Sequence, residues 1–406
     1  MDTMELAILI ALCCVATYAL IAQRLSRTIL TAPMMFLSLG YGLSMLDLIH
    51  LQEGRELLHL VAEITLIIVL FADASSINLR ELERFHIWPQ RMLLVGLPAA
   101  IAIGTLVAAF FFPSWPLFAI ALIAAILAPT DAALGQAVVN NKNVPATERR
   151  SLVVESGLND GLALPAILFF AYALAIIDGE QNNNFVIFTL QQLIFGPLIG
   201  VIIGWLGGKL TLFADQHALT DPQYEGIAAI AIAMIAYVAA GTIDGNGYIA
   251  VFVAGLIFGN TVKGKNRNVQ GFLESEGQLL IWVSFFLIGL LLMPFAIEGL
   301  TRPILLFILS CLFIVRPLAI YLSLIGTGAT LRTRLFFGWF GPRGLATALF
   351  ALLVVGDIDQ MYAASILVIA VNTVWISVVL HGITAAPGAA WYAQYSHTLK
   401  TKRAGK

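Results

Sequence analysis

Along almost its whole length the chain alternates apolar runs of about twenty residues with short polar breaks. That alternation leaves one class of fold. A bilayer core of ~30 Å is crossed by about 20 apolar residues in helical form. Thirteen such runs can be read, over roughly 4–22, 29–47, 57–78, 91–112, 116–139, 149–177, 185–213, 224–242, 247–261, 277–297, 303–325, 333–355 and 360–382. Only 11% of the 406 residues are charged, against about 25% in an average soluble domain. The expectation is an all-α polytopic membrane protein with a short polar tail over 383–406. The first run starts almost at Met1, behind Asp2 and Glu5 rather than a basic stretch, so it is expected to stay as the first spanning helix. The chain has 22 Lys and Arg against 24 Asp and Glu, a balance that speaks against a nucleic-acid partner. Cys13, Cys14 and Cys311 lie in apolar runs, without the spacing of a disulfide framework or a metal site.

The loops test the helix count independently. Numbered alternately, one face collects 18 of the 22 basic residues, among them Arg24, Arg27, Arg80, Arg84, Arg149, Arg150, Lys263, Lys265, Arg332, Arg334 and Lys406. Arg55 and Arg302 fall on the other face, and Arg316 and Arg343 inside apolar runs. Because cytoplasmic loops gather positive charge, the N-terminus is expected outside and the C-terminus in the cytoplasm.

Two runs carry helix breakers in their middle, Ala128-Pro129-Thr130-Asp131 in the fifth and Gly341-Pro342-Arg343-Gly344 in the twelfth. Proline removes a backbone donor, and irregular backbone at membrane depth survives only inside protein or along a wet cavity. The breaks lie seven helices apart. That odd offset gives them opposite orientation, as an inverted-topology repeat of helices 1–6 on helices 8–13 requires.

Ionisable groups within the bilayer are costly and mark functional sites. Helix 6 holds the densest set, Glu155-Ser156-Gly157-Leu158-Asn159-Asp160-Gly161. Residues four apart share a helical face, so Ser156 stacks with Asp160 and Glu155 with Asn159. A hydroxyl beside a carboxylate suits a hard monovalent cation. Asp73 in helix 3 is a candidate second carboxylate or an ordinary interfacial acid, and Glu63 lies nearer the outer mouth. Asp131 is expected to cap the half-helix that it starts. Arg316 is permanently charged, and Glu155 is its best partner, which leaves Asp160 free to titrate. Arg343 sits where half-helix carbonyls welcome a cation.

Taken together, Pro129-Thr130-Asp131, the Glu155-to-Gly161 run, Arg316-Pro317 and Gly341-x-Arg343-Gly344 resemble the cation/proton antiporter family, in particular its sodium/proton branch with an adjacent Asn-Asp pair. The resemblance spans helices 3 to 12. It implies a thirteen-helix inverted-repeat fold, a homodimer, and a core bundle moving against a scaffold. Helices 1–3 (1–90) and 7–10 (185–300) would form the scaffold and dimer contact, with helices 4–6 (91–178) and 11–13 (301–382) as the core. Asp160 would bind ion and proton, with Ser156, the Thr130 main chain and Asp73 as companion ligands and Asn159, Glu155, Arg316, Asp131 and Arg343 in support. Asp73 is one methylene shorter than the Glu found there in many relatives, and Ala132 stands where Pro is common.

The expected activity is exchange of Na⁺, or Li⁺, for H⁺ in a bacterial inner membrane, electroneutral because Asn159 replaces a second acid. No cofactor is expected, and the partners are membrane lipid, the ion, the proton and a second copy. A K⁺/H⁺ antiporter would use the same parts. A channel calls for a continuous polar pore, whereas the acids cluster at one depth. An intramembrane hydrolase calls for a nucleophile with its base, and His50, His59, His86, His217, His381 and His397 are all read at helix ends or loops.

Overall fold

In the membrane interior every backbone N–H and C=O must be satisfied within the protein, which leaves helix as the element of choice. The computed structural model describes residues 3–25, 29–46, 51–79, 87–139, 141–177, 185–262 and 267–404. Asp2, Arg27, His50, Arg80, Arg84, His86, Lys263, Lys265 and Lys406, which enter the reading above, lie outside the described residues.

Among the described residues the only regular element is helix, and helix occupies each of the thirteen apolar runs. The elements are α1 (Thr3–Leu25), α2 (Ala32–Ser44), α3 (Leu51–Ser76), α4 (Ile87–Phe111), α5 in two halves (Leu117–Ile126, then Ala132–Gly135 continuing as Gln136–Val139) and α6 (Ala146–Ile177). There follow α7 (Phe185–Gln216), α8 (Pro222–Gly241), α9 (Gly247–Val262), α10 (Arg267–Leu287, continuing through Ile288–Leu292 to Met293–Glu298) and α11 (Arg302–Ser323). The last two are α12 in two halves (Leu331–Trp339 and Leu345–Val354) and α13 (Gln360–Ala404). Eight of these helices are by themselves long and apolar enough to cross a membrane.

Three helices share a device that the apolar pattern did not announce. A wider π turn occupies Met92–Gly96 in α4, Ile288–Leu292 in α10 and Cys311–Val315 in α11. Each ends two residues before a proline: Pro98, Pro294 and Pro317. A proline ring collides with the carbonyl four residues back. Here those carbonyls belong to Leu94, Leu290 and Phe313, all within the π turns. The α4 and α11 turns lie seven helices apart, as do the breaks of α5 and α12, so the repeat shows in its irregularities.

The helices fall into two packed groups. α2, α3, α7, α8, α9 and α10 pack on one another, and so do α4, α5, α6, α11, α12 and α13. Gly196, Gly200 and Gly204 form a small-residue stripe that brings α7 against the α9 backbone, the usual means of close helix approach in lipid. Across the seam, α6 meets α3, α7 and α9, the second half of α12 meets α3 and α10, and α13 meets α2 and the end of α10.

The chain departs from expectation at its end. The stretch 383–406, expected as a polar tail, continues α13 in helix to Ala404, with Pro387 inside it. Ala385, Ala389 and Tyr392 repeat at helical spacing and bury themselves with Phe336, Phe337 and Phe340 of α12 and its break. Tyr392 stacks on Phe336 at 4.0 Å between centroids, and its hydroxyl donates to Glu148 Oε1 at 2.9 Å. Three histidines expected at helix ends or in loops are inside helices: His59 is the ninth residue of α3, and His381 and His397 lie within α13. His381 is only 2% exposed.

Candidate ion-binding site

Breaking a helix strands carbonyls at the end of one half and amides at the start of the next. In α5 and α12 each break answers the other. Arg343 Nε donates to the carbonyl of Leu127, at the end of the first half of α5, at 2.6 Å, and its Nη1 donates to Gly341 O at 2.7 Å. In return, Asp131 Oδ2 accepts the amide of Leu345, the first residue of the second half of α12, at 3.3 Å. The Asp131 amide donates to Pro342 O at 2.9 Å. Arg343 thus meets the carbonyls expected of it, whereas Asp131 caps the opposite broken helix. The crossing admits no side chain at Gly344, where a Cβ would strike the Asp131 carboxylate, or at Gly341, where it would strike the Arg316 guanidinium.

Glu155 and Arg316 form the expected pair, and it is bidentate: Arg316 Nη1 and Nη2 donate to Glu155 Oε1 and Oε2, both at 3.1 Å. Both side chains are about 5% exposed, so each would otherwise be a stranded charge. Thr130 closes the group. Its hydroxyl donates to Glu155 Oε2 at 3.4 Å and accepts from Asn159 Nδ2 at 2.5 Å. Ser156 Oγ donates to the Thr130 carbonyl at 2.6 Å, fastening α6 to the α5 break.

Asp160 is left outside this network. It is 7% exposed, and its buried Oδ1 has no hydrogen-bond partner among the described residues. Buried polar atoms are almost always paired, so an open carboxylate oxygen invites a ligand. It lines a cavity of about 110 Å³ together with Asp73, Ser76, Asp131, Ser156 and Leu345. Asp73 and Ser76 are exposed, which puts the cavity mouth at the Ser76 end of α3.

The structure therefore brings Asp160, Ser156, Asp73 and Asp131 to one space. Thr130 does not line it; Thr130 faces a small cleft of about 10 Å³ with Glu155 and Gly341, to which Ser156 and Asp131 also contribute. Glu63 lies in a different cavity altogether, where its Oε1 accepts the Tyr237 hydroxyl at 2.6 Å. Three participants escaped the sequence reading. Ser76 lies three residues beyond Asp73 and shares its face of α3. Ser377 and His381, four apart on α13, hold the α12 break: the Arg343 amide donates to Ser377 Oγ at 2.7 Å, and His381 Nε2 is 3.0 Å from Trp339 O. A Ser–His pair at that spacing inside an apolar run was the available signal.

Comparison with known proteins sets this geometry in context. The sequence pattern of the family described as "Sodium/hydrogen exchanger, transmembrane" matches residues 8–391. The chain belongs to the sodium/hydrogen exchanger family. Family membership makes it an integral membrane protein and a transporter-family member rather than an enzyme. The chain is 27% identical to the K(+)/H(+) antiporter NhaP2 of Shewanella sp. (strain ANA-3), over 72% of this chain and 51% of that one. It is also 27% identical to the K(+)/H(+) antiporter NhaP of Alkalimonas amylolytica, over 82% and 57% respectively. With the Na(+)/H(+) antiporter of Schizosaccharomyces pombe it shares 29% identity over 65% of this chain and 60% of that protein. The chain spans about half the length of the curated relatives it matches. In fold, this exchanger-family chain matches the sodium proton antiporter MjNhaP1 from Methanocaldococcus jannaschii with a TM-score of 0.79 and 21% identity, over 96% of this chain and 99% of that one.

Proposed function

We propose that the chain exchanges a monovalent cation, Na⁺ or its smaller analogue Li⁺, for protons across a bacterial inner membrane, with Asp160 as the shared site. The observation that carries this is the buried Asp160 carboxylate, with Oδ1 unpaired at the wall of a cavity that an ion can enter. A carboxylate holds a proton or a cation, never both. Empty, it is a bare charge in low dielectric and resists crossing; filled by either ligand it is neutral and can move. Coupling follows from that rule without any cofactor.

Each neighbour has a task. Ser156 and Asp73 supply further oxygens to the ion, the Thr130 main chain holds Ser156 in place, and Asn159 positions Thr130. Glu155 and Arg316 neutralise one another, which leaves Asp160 as the carboxylate that changes state. One positive charge then travels each way. We assign the movement to α4–α6 with α11–α13 against α1–α3 with α7–α10, and the dimer contact to the latter group. We assign the Asp160 cavity mouth and the C-terminus to the cytoplasmic side, the side on which basic loops gather in membrane proteins.

K⁺ is the second reading, favoured by the naming of two matched relatives as K(+)/H(+) antiporters. Purified protein in liposomes, offered each alkali cation in turn, decides. Proton release driven by Na⁺ and Li⁺ supports the first reading and release driven by K⁺ the second; no cation-driven release overturns both.

A further inference from the structure

The Asp160 cavity is one of two that meet at the same pair of leucines. The second, of about 120 Å³, is lined by His59, Ala62, Glu63, Leu66, Tyr248, Leu349, Leu352 and Leu353. Leu66 and Leu349 line both cavities, and each is 3% exposed. On α3 the lining residues of the two spaces form one helical stripe: His59, Glu63, Leu66, Val69, Asp73, Ser76. The second half of α12 shows the matching stripe of Leu345, Leu349 and Leu352. Glu63 and Asp73 are ten residues apart, about 15 Å along a helix. His59 is exposed two turns into α3, in its first half, as Ser76 is at its last residue. The two helices thus border a single track with an acid on each side of an apolar pinch.

Glu63 has one fixed hydrogen-bond partner beside this cavity. The Tyr237 hydroxyl donates to its Oε1 at 2.6 Å, and the rings of Tyr237 and Tyr248 meet edge to face at 5.0 Å. The phenol fixes one carboxylate oxygen on a wall where leucines alternate with His59 and Tyr248. We propose that this cavity is a second vestibule of the exchange site, a weak site for a partly hydrated monovalent cation with Glu63 as its anionic ligand. Leu66 and Leu349 are the barrier between it and Asp160. The inference rests on the exchange reading above and adds the route to the face opposite the basic loops.

The experiment measures cation KM separately from each face, in liposomes carrying the protein in one orientation, for wild type, Glu63→Gln and Glu63→Asp. Glu63→Gln should raise KM about fivefold on the vestibule face, roughly 1 kcal/mol, the strength in water of a unit-charge pair about 4 Å apart. KM on the other face should move far less, and Glu63→Asp should recover part of the loss. If Glu63→Gln does not fold, Tyr237→Phe, which frees the carboxylate from its phenol, should raise KM on the same face. An unchanged KM there, or an equal rise on both faces, overturns the vestibule. Leu349→Ala should admit protons without a counter-ion, and vesicles that stay tight overturn the barrier. Wild type that exchanges normally while these variants behave like it removes only this inference; wild type that exchanges nothing removes the Asp160 reading as well.

Discussion

Glu155 and Asp160 lie five residues apart on α6, yet their oxygens have opposite circumstances. Both Glu155 oxygens are taken by Arg316, whereas Asp160 keeps one with no partner. The division sets the two residues' responses to substitution. Asp160→Asn preserves size but removes charge and proton, so exchange in liposomes should fall to background while the purified protein keeps its thermal transition and elution volume. Glu155→Ala or Arg316→Ala strands a buried charge and should cost about 3–5 kcal/mol of stability. The double substitution should cost clearly less than the sum of the singles, since coupled neighbours are not additive. Thermal unfolding in detergent measures all three, and strict additivity would exclude the pair.

At the scale of the elements, the C-terminal half of α13 is a strap across the start of α12 and the head of α6. The Tyr392 hydroxyl serves Glu148 and Thr333 at once, both at 2.9 Å. Tyr392→Phe keeps the ring stack but leaves buried Glu148 without that donor, which should cost about 1–3 kcal/mol, read as a lowered melting temperature. This strap was illegible in the sequence because 383–406 reads as a polar tail, and the stripe of Ala385, Ala389 and Tyr392 is too small and too mixed to stand out. The π turns were hidden for another reason: a proline inside a uniformly apolar run changes the ladder without changing the hydropathy. What could be read were features fixed by local chemistry, namely the two breaks, and the need of Arg316 for an acid. What could not be read was contact across the fold. Asp131 meets Leu345 over 214 residues of chain, and no spacing rule foretells which half-helix it caps.

For the whole molecule, the proposed competition at one carboxylate would fix how transport responds to acid. Cation binding requires ionised Asp160, so as pH falls the apparent KM should rise, about tenfold per unit once protonation dominates, with kcat at saturation changing much less. A KM series across pH in liposomes checks this, and a constant KM with a falling kcat would point to a separate sensor. The reciprocal tie between α5 and α12 carries a further, electrical consequence. Arg343 and Asp131 travel together, as do Arg316 and Glu155, so in the proposed cycle these four charges of the two breaks and the buried pair cancel, and the site adds none once Asp160 is occupied. A field of 100 mV pulls on one elementary charge with about 2.3 kcal/mol; here it finds no gating charge to pull. A voltage step on loaded protein should evoke no displacement current, and a cell whose membrane had depolarised would still run the exchange on its ion gradients alone.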